Sequence, residues 1–333
     1  MVILTPRGST PPDDLRDLPI YPVLPPVTPI ARGMIFQLAA LIPQVRRLLR
    51  GCDVIHAHAE PYLPLAAAAV GGRRLFVTAH GSYVRVEAAY PRYAQFAYQW
   101  AFRRAQIGCV SAFTARAAAQ SIPGAHPFVI PNGVDWERFA ALPVLNKQGN
   151  TILTVGAVKP RKGTLTLIQA MAEVRAAIPS AHCQVIGSLE LDAGYVASLR
   201  AEIERLNLGE GVTLAGRVPA DDLMRWYATA DVFAFPSISD GWKFEGFGLA
   251  ALEASAAGMP VVAAQGSGVE DAVRDGETGL LVPQSDARAL AAALITLLSD
   301  AEKRRTMGEA GKAWARSMTW ERAARSWIEV YQR

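Results

Sequence analysis

Along the chain, apolar residues gather into short unbroken runs, and between these runs they recur every three or four positions. A short unbroken run reads as a strand buried on both faces, and the longer periodic stretch as an amphipathic helix. In the first half this pattern predicts strands at 2–5, 54–56, 75–78, 107–110 and 128–130, with helices at 34–50, 93–104 and 112–121. In the second half it predicts strands at 152–155, 183–186, 212–214, 232–235, 261–263 and 280–282. Helices are expected there at 164–178, 193–206, 221–229, 247–257 and 287–298. Strands alternating with helices imply α/β units with parallel sheets, and two such series imply two doubly wound domains. Asn132-Gly133 is a turn signal, and the polar stretch at 140–149 follows it. The expected division is therefore 1–143, 144–317 and a C-terminal helix over 318–333 that packs back on the first domain. The proline-rich stretch 19–29 reads as an irregular connection.

Composition adds mainly exclusions. The 333 residues are 51% hydrophobic, enough for two cores, and 34 basic against 30 acidic residues leave a net charge of +4. That surplus is small and scattered, no nucleic-acid motif accompanies it, and nucleic acid is not an expected partner. Cys52, Cys109 and Cys183 form no C-x-x-C pair and read as structural thiols of a reducing compartment. No apolar run reaches the length of about 18 residues that spans a bilayer, and the N-terminus lacks the features of a signal peptide. A cytoplasmic protein is expected. Residues 83–104 are rich in aromatics and arginine with one acid, Glu87. This composition suits a lipid interface, hence peripheral contact at the inner membrane face, and equally a core-packed helix with arginines in solvent.

The sharpest chemical signal is PSISDGWKFEGFGLAALE at 236–253, directly after a predicted strand. The turn Glu245-Gly246-Phe247-Gly248 opens a helix there, and unpaired N–H groups with the helix dipole favour an anion such as a diphosphate. Glu253 follows Glu245 by a helical rise of roughly 12 Å. Two carboxylates so spaced can grip hydroxyl pairs at opposite ends of an extended ligand such as a nucleotide sugar. Singly, each is more simply a capping or solvated glutamate; the glycines after a strand favour a site. The second signal is GAVKPRKG at 156–163, again directly after a strand. Lys159, Arg161 and Lys162 suit a diphosphate, and fixed cations there would make a divalent metal unnecessary. Without its position, this run would read as a solvated basic loop. His80 ends another strand and alone reads as a core or turn histidine. His56 and His58 share a strand face with no Cys, Asp or third His joining them, so they read as structural, with His58 available to an acceptor. His126 and His182 look incidental.

Glu245 to Glu253 resembles the E-x7-E signature of family 4 retaining glycosyltransferases, and EGFGLAALEASAAGMPVVA, DGETGLLVP, IPNGVDWERF and VGAVKPRKG are similar to that family's runs. The resemblance implies a GT-B fold: two facing Rossmann-like doubly wound domains with a cleft between them. It implies that Glu245 holds the transferred sugar and orients its anomeric carbon, and that His80 faces that sugar. Backbone amides at Phe247, Gly248 and Leu249 would meet sugar or phosphate, and Glu253 the ribose. Arg161 and Lys162 would neutralise the diphosphate beside Gly156, and the base would rest near Gly216 and Val218. The implied reaction retains anomeric configuration and uses no cofactor or metal. Its donor would be a UDP-, GDP- or ADP-sugar and its acceptor a glycan, a lipid or a small molecule. Ala157 stands where the family often has arginine, and Arg161 can substitute. The family's first strand and glycine loop find no counterpart before residues 2–5, so an interior strand without its usual neighbour, and an upstream extension, are expected. The alternatives are an inactive family member acting as a binding or partner subunit, and a hexosamine 2-epimerase. A dinucleotide-dependent oxidoreductase would need G-x-G-x-x-G after an early strand, which the sequence lacks.

Overall fold

The computed structural model describes residues 1–10, 15, 17–26, 33–143 and 149–333. Contacts divide the chain into two units, Met1–Ile130 and Pro131–Arg333. The break falls before the expected polar stretch, of which 144–148 lie outside the described residues. Its position has a physical cause: residues just after Ile130 are anchored in the second unit. Val134 N–H donates to the Met318 carbonyl at 2.9 Å, and Phe139 meets Tyr227 edge-on at 5.3 Å.

The first unit runs β1 (Ile3–Pro6), β2 (Ile20–Leu24), α1 (Met34–Leu48), β3 (Val54–Ala57), α2 (Leu63–Ala69), β4 (Arg74–Ala79), α3 (Val86–Ala89), α4 (Arg92–Arg104), β5 (Gln106–Cys109), α5 (Ala112–Ser121) and β6 (Phe128–Val129). β3, β4, β5 and β6 form one parallel sheet in that order. β1 and β2 pair with each other as a separate two-stranded parallel sheet. Ile20–Leu24 corrects the reading of 19–29 as irregular; residues 27–29 lie outside the described residues. Pro22 has no N–H to give, which hid the strand, yet a strand with a free edge tolerates it. α2 was also unforeseen: its run LPLAAAA buries residues around its whole circumference, so no helical period shows.

The second unit runs α6 (Trp136–Ala140), β7 (Thr151–Val155), α7 (Thr164–Ala177), β8 (His182–Ile186), α8 (Ala193–Arg205), β9 (Val212–Gly216), α9 (Ala220–Thr229), β10 (Val232–Phe235), α10 (Leu249–Ala256), β11 (Val261–Ala264), β12 (Gly279–Val282), α11 (Ala287–Ser299), α12 (Ala301–Arg316) and α13 (Trp320–Gln332). Its six strands lie in the order β12-β11-β10-β7-β8-β9, all parallel. The core is apolar strand and helix faces, among them Ile152, Leu167, Ile168, Met171, Val232 and Leu294. The chain lays β8 and β9 to one side of β7, then returns to lay β10, β11 and β12 on the other. Connections therefore leave β7 and β10 toward opposite faces, and the carboxyl ends of this pair form the topological switch point where open α/β sheets bind ligands.

Candidate active site

The turns after β7 and β10 meet at that switch point. Arg161 and Lys162 sit in a short 3-10 turn at Pro160–Lys162, and Ile238 N–H donates to the Arg161 carbonyl at 2.8 Å. Gly163 follows in left-handed conformation, φ 69°, where a Cβ would run into the Pro236 carbonyl oxygen. Only glycine allows the two turns to approach this closely. Arg161 Nη1 and Lys162 Nζ both donate to Glu245 Oε2, at 3.0 and 2.7 Å, and Ser237 Oγ donates to the same oxygen at 3.4 Å. The Lys162 stem lies against Gly156, and its ammonium sits 4.8 Å from the Phe235 ring centroid.

The charges can be ranked. Burial alone would raise the Glu245 pKa, but Lys162 and Arg161 outweigh it and hold the carboxyl below its ordinary value. Two cations against one carboxylate leave a positive excess. Lys159 adds to it, its own pKa lowered by desolvation and by Arg161 and Lys162. Glu245 is thus ionised and held at one oxygen, beside cations that an arriving diphosphate can engage. The other candidates in this unit cluster nearby in the fold. α10 begins on Gly248, left-handed at φ 93°, with no side chain capping it, and α7 begins the same way on Gly163. By contrast α8, α11, α12 and α13 each start under an Asp or Thr side-chain cap. Helix starts left open this way suit an anion. Phe247 is buried and Leu249 exposed. Glu253, on α10, accepts from the Tyr227 hydroxyl at 2.7 Å, and burial raises its pKa against the pull of that hydroxyl and Arg138. Gly156 and Gly216 end β7 and β9. Gly187, at the end of β8, lies between them, and its N–H donates to the Gly216 carbonyl at 2.9 Å. A side chain on Gly187 would strike the Gly156 carbonyl, so the close approach of the two strand ends requires glycine there. Val218 is half-buried just beyond β9.

His80 belongs to the first unit, directly after β4. Surrounding protein and then His58 lower its pKa, although part of its surface meets solvent, so the ring is neutral near pH 7. Its backbone N–H donates to Glu60 Oε1 at 2.7 Å. His56 bonds Thr78 Oγ1 at 2.8 Å and stacks on His58 with centroids 4.0 Å apart, and burial lowers both pKa values. Among the described residues no group of three metal-ligand side chains converges. Sequence reasoning missed Glu60, Tyr227 and Gly187. Glu60 is buried, and burial pushes its carboxyl up to about 7 against the backbone N–H groups it accepts from. The one available signal was an acid followed by proline in an apolar run, Glu60-Pro61.

Parallel sheets and a ligand site at their switch point define an α/β protein, and the solved structures it resembles share the GT-B fold. The chain belongs to the family of Glycosyl transferases group 1, whose model matches residues 137–314, and the Glycosyltransferase Family 4 model matches residues 1–138. It is similar to the GDP-mannose-dependent alpha-(1-6)-phosphatidylinositol monomannoside mannosyltransferase of Mycolicibacterium smegmatis, 34% identical over 218 residues, 62% of this chain and 56% of that protein. It is also 35% identical over 212 residues to the D-inositol 3-phosphate glycosyltransferase of Segniliparus rotundus, 61% of this chain and 46% of that protein. The matched region thus spans about half the length of these relatives. In fold it is similar to sucrose-phosphate synthase of Thermosynechococcus elongatus, with TM-score 0.80 and 24% identity over 99% of this chain and 87% of that one. Anabaena Alr3699/HepE in complex with UDP and glucose is similar at TM-score 0.76 and 23% identity, over 95% and 86% of the two chains.

Proposed function

We propose that this chain transfers a sugar, with retained configuration, from a nucleotide-diphosphate sugar to a glycan or lipid-linked acceptor. The observation that carries this reading is the pairing of Arg161 and Lys162 with Glu245 at the switch point of the second sheet. A sugar diphosphate fits that arrangement: its phosphates take the cations and the open starts of α7 and α10, and its sugar hydroxyls donate to Glu245. Glu253 takes the ribose hydroxyls, with Tyr227 fixing its free rotation. The base lies beside Gly216 and Val218, and amides at Phe247, Gly248 and Leu249 meet phosphate or sugar.

In the reaction the bond from the anomeric carbon to the diphosphate oxygen breaks, and one to the acceptor oxygen forms on the same face. The acceptor proton passes to the departing diphosphate. Arg161 and Lys162 stabilise the charge that develops there, which makes a metal unnecessary. Neutral His80 contributes a polar contact to the sugar. The mannosyltransferase relative's name supports GDP-mannose as the first donor to try and phosphatidylinositol-linked mannosides as first acceptors, and the UDP and glucose in the Anabaena structure make UDP-glucose the second donor. A lipid-linked acceptor also supports peripheral contact with the inner face of the membrane.

The test is consumption of UDP-glucose, GDP-mannose and ADP-glucose, followed by nucleotide release with and without chelator. Turnover of one donor, unchanged by chelator, is expected. Loss of turnover in chelator with recovery on adding magnesium or manganese would remove the metal-independent reading. Absence of both turnover and donor binding would remove the transferase reading.

A further inference from the structure

The first unit carries an aromatic surface that the transferase site does not use. On α4, Tyr93, Phe96 and Trp100 fall on one face at helical spacing, and they are 54%, 83% and 41% exposed. The opposite face buries Ala94, Tyr98, Ala101 and Phe102, so the helix is both a core helix and an exposed aromatic one. α1 joins it: Phe36, 71% exposed, stacks on Tyr93 with centroids 6.4 Å apart, and Gly33 N–H donates to the Tyr93 hydroxyl at 3.2 Å. Beside Phe96 and Trp100 lies a cavity of about 340 Å³, also lined by Glu87, Gln95, Gln99 and Arg103.

The charge on these helices has one sign. α1 and α4 contain no acidic residue, while Arg46, Arg47, Arg92, Arg103 and Arg104 are all exposed. Arg46 and Arg104 are partly spent on carbonyls at the end of α2, those of Ala68 and Gly71. Arg47 and Arg103 remain on the aromatic faces: 36, 40, 43 and 47 form one row on α1, and 96, 100 and 103 form one on α4. Aromatic rings backed by arginines suit the headgroup level of an anionic bilayer. A second copy of this chain suits the face poorly, because it would set arginine against arginine, with Glu87 as the acid beside Phe96, Trp100 and Arg103. Among the described residues no helix is long and apolar enough to cross a membrane.

We propose that the α1–α4 aromatic face docks this chain on anionic lipid, with Phe36 and Phe96 inserted and Arg47 and Arg103 on the headgroups. This goes beyond the transferase reading, and the test needs no turnover, so either can fail alone. The full chain is floated with phosphatidylcholine vesicles with and without phosphatidylglycerol, at low and high salt. We expect flotation with the anionic vesicles at low salt, weakened by salt. Phe36→Ser with Phe96→Ser should lower the bound fraction at least tenfold with an unchanged melting temperature, as both rings are largely exposed. Arg47→Glu with Arg103→Glu should do so on anionic vesicles. Absence of flotation, or flotation of the Phe36→Ser, Phe96→Ser variant at the wild-type level, would overturn the proposal. A dimer in solution that this variant converts to monomer, with no flotation, would assign the face to a second copy and overturn it equally.

Discussion

Glu245 and Glu60 each lie just beyond the carboxyl end of a parallel sheet, one in each unit, and each is largely buried. Their surroundings drive them in opposite directions. Glu245 faces two side-chain cations, which overcome desolvation and keep it ionised. Glu60 meets backbone N–H groups, desolvation wins, and its pKa rises to about 7. The lesson concerns what each carboxyl can do. Side-chain cations can be shared with an arriving ligand, so Glu245 sits in a site poised for charge exchange. N–H groups of the chain are fixed, so Glu60 holds the His80 turn in place and exchanges nothing.

The largest effect expected is from Gly163→Ala. It forces a Cβ into the Pro236 carbonyl at a left-handed backbone position and pushes apart the turns that bring Arg161 to Glu245. A stability loss of about 3 kcal/mol or more is expected, read as a lowered denaturant midpoint. Midpoint and activity at wild-type values would mean that the turns need not approach. Glu245→Gln comes next: it keeps the shape, removes the charge, and should lower kcat/KM about a hundredfold, near 2.7 kcal/mol. Since Arg161 and Lys162 lose their counter-ion, some thermal destabilisation should accompany it, unlike a change at a solvated surface pair.

Tyr227→Phe is milder. The Glu253 carboxylate loses one donor worth about 1 kcal/mol, so donor KM should rise roughly fivefold while kcat changes little. An unchanged KM would remove Glu253 from ribose binding.

Below its ordinary pKa of 4.5 Glu60 is protonated in both folded and unfolded chains; as pH rises toward about 7, the unfolded chain loses the proton first. Stability contributed by this group therefore falls across that window and levels off above it. Glu60→Gln keeps an acceptor for the His80 N–H and removes the titration. The melting temperature of the wild type should drop more between pH 5 and pH 8 than that of the variant. Equal drops would show that Glu60 does not titrate in this range.

The residues of the second unit were legible because their signal is local. Arg161 and Lys162 follow β7 in one short turn and Glu245 lies in the loop that leads from β10 to α10, and the strands themselves are unbroken apolar runs. Nothing local marks Tyr227 or Glu60. Tyr227 looks like any aromatic on an amphipathic helix until α10 brings Glu253 to its hydroxyl, and Glu60 acts through the next strand's end, at His80. The same distinction explains the elements. α4 was legible as a helix, but only its packing against α2, α3 and β5 decided which of its aromatics are core and which are surface. β2 was hidden by Pro22, and α2 by the lack of any polar face.

The central claim is that the cations after β7 hold the donor's diphosphate, and Lys162→Ala tests it most directly. Nucleotide release from the donor that the wild type consumes is followed as a function of donor concentration, alongside a melting curve. The account predicts a fall in kcat/KM of at least tenfold with folding intact, since Lys162 is partly exposed and Arg161 remains to pair Glu245. A variant with the wild-type rate and a normal melting curve would contradict it.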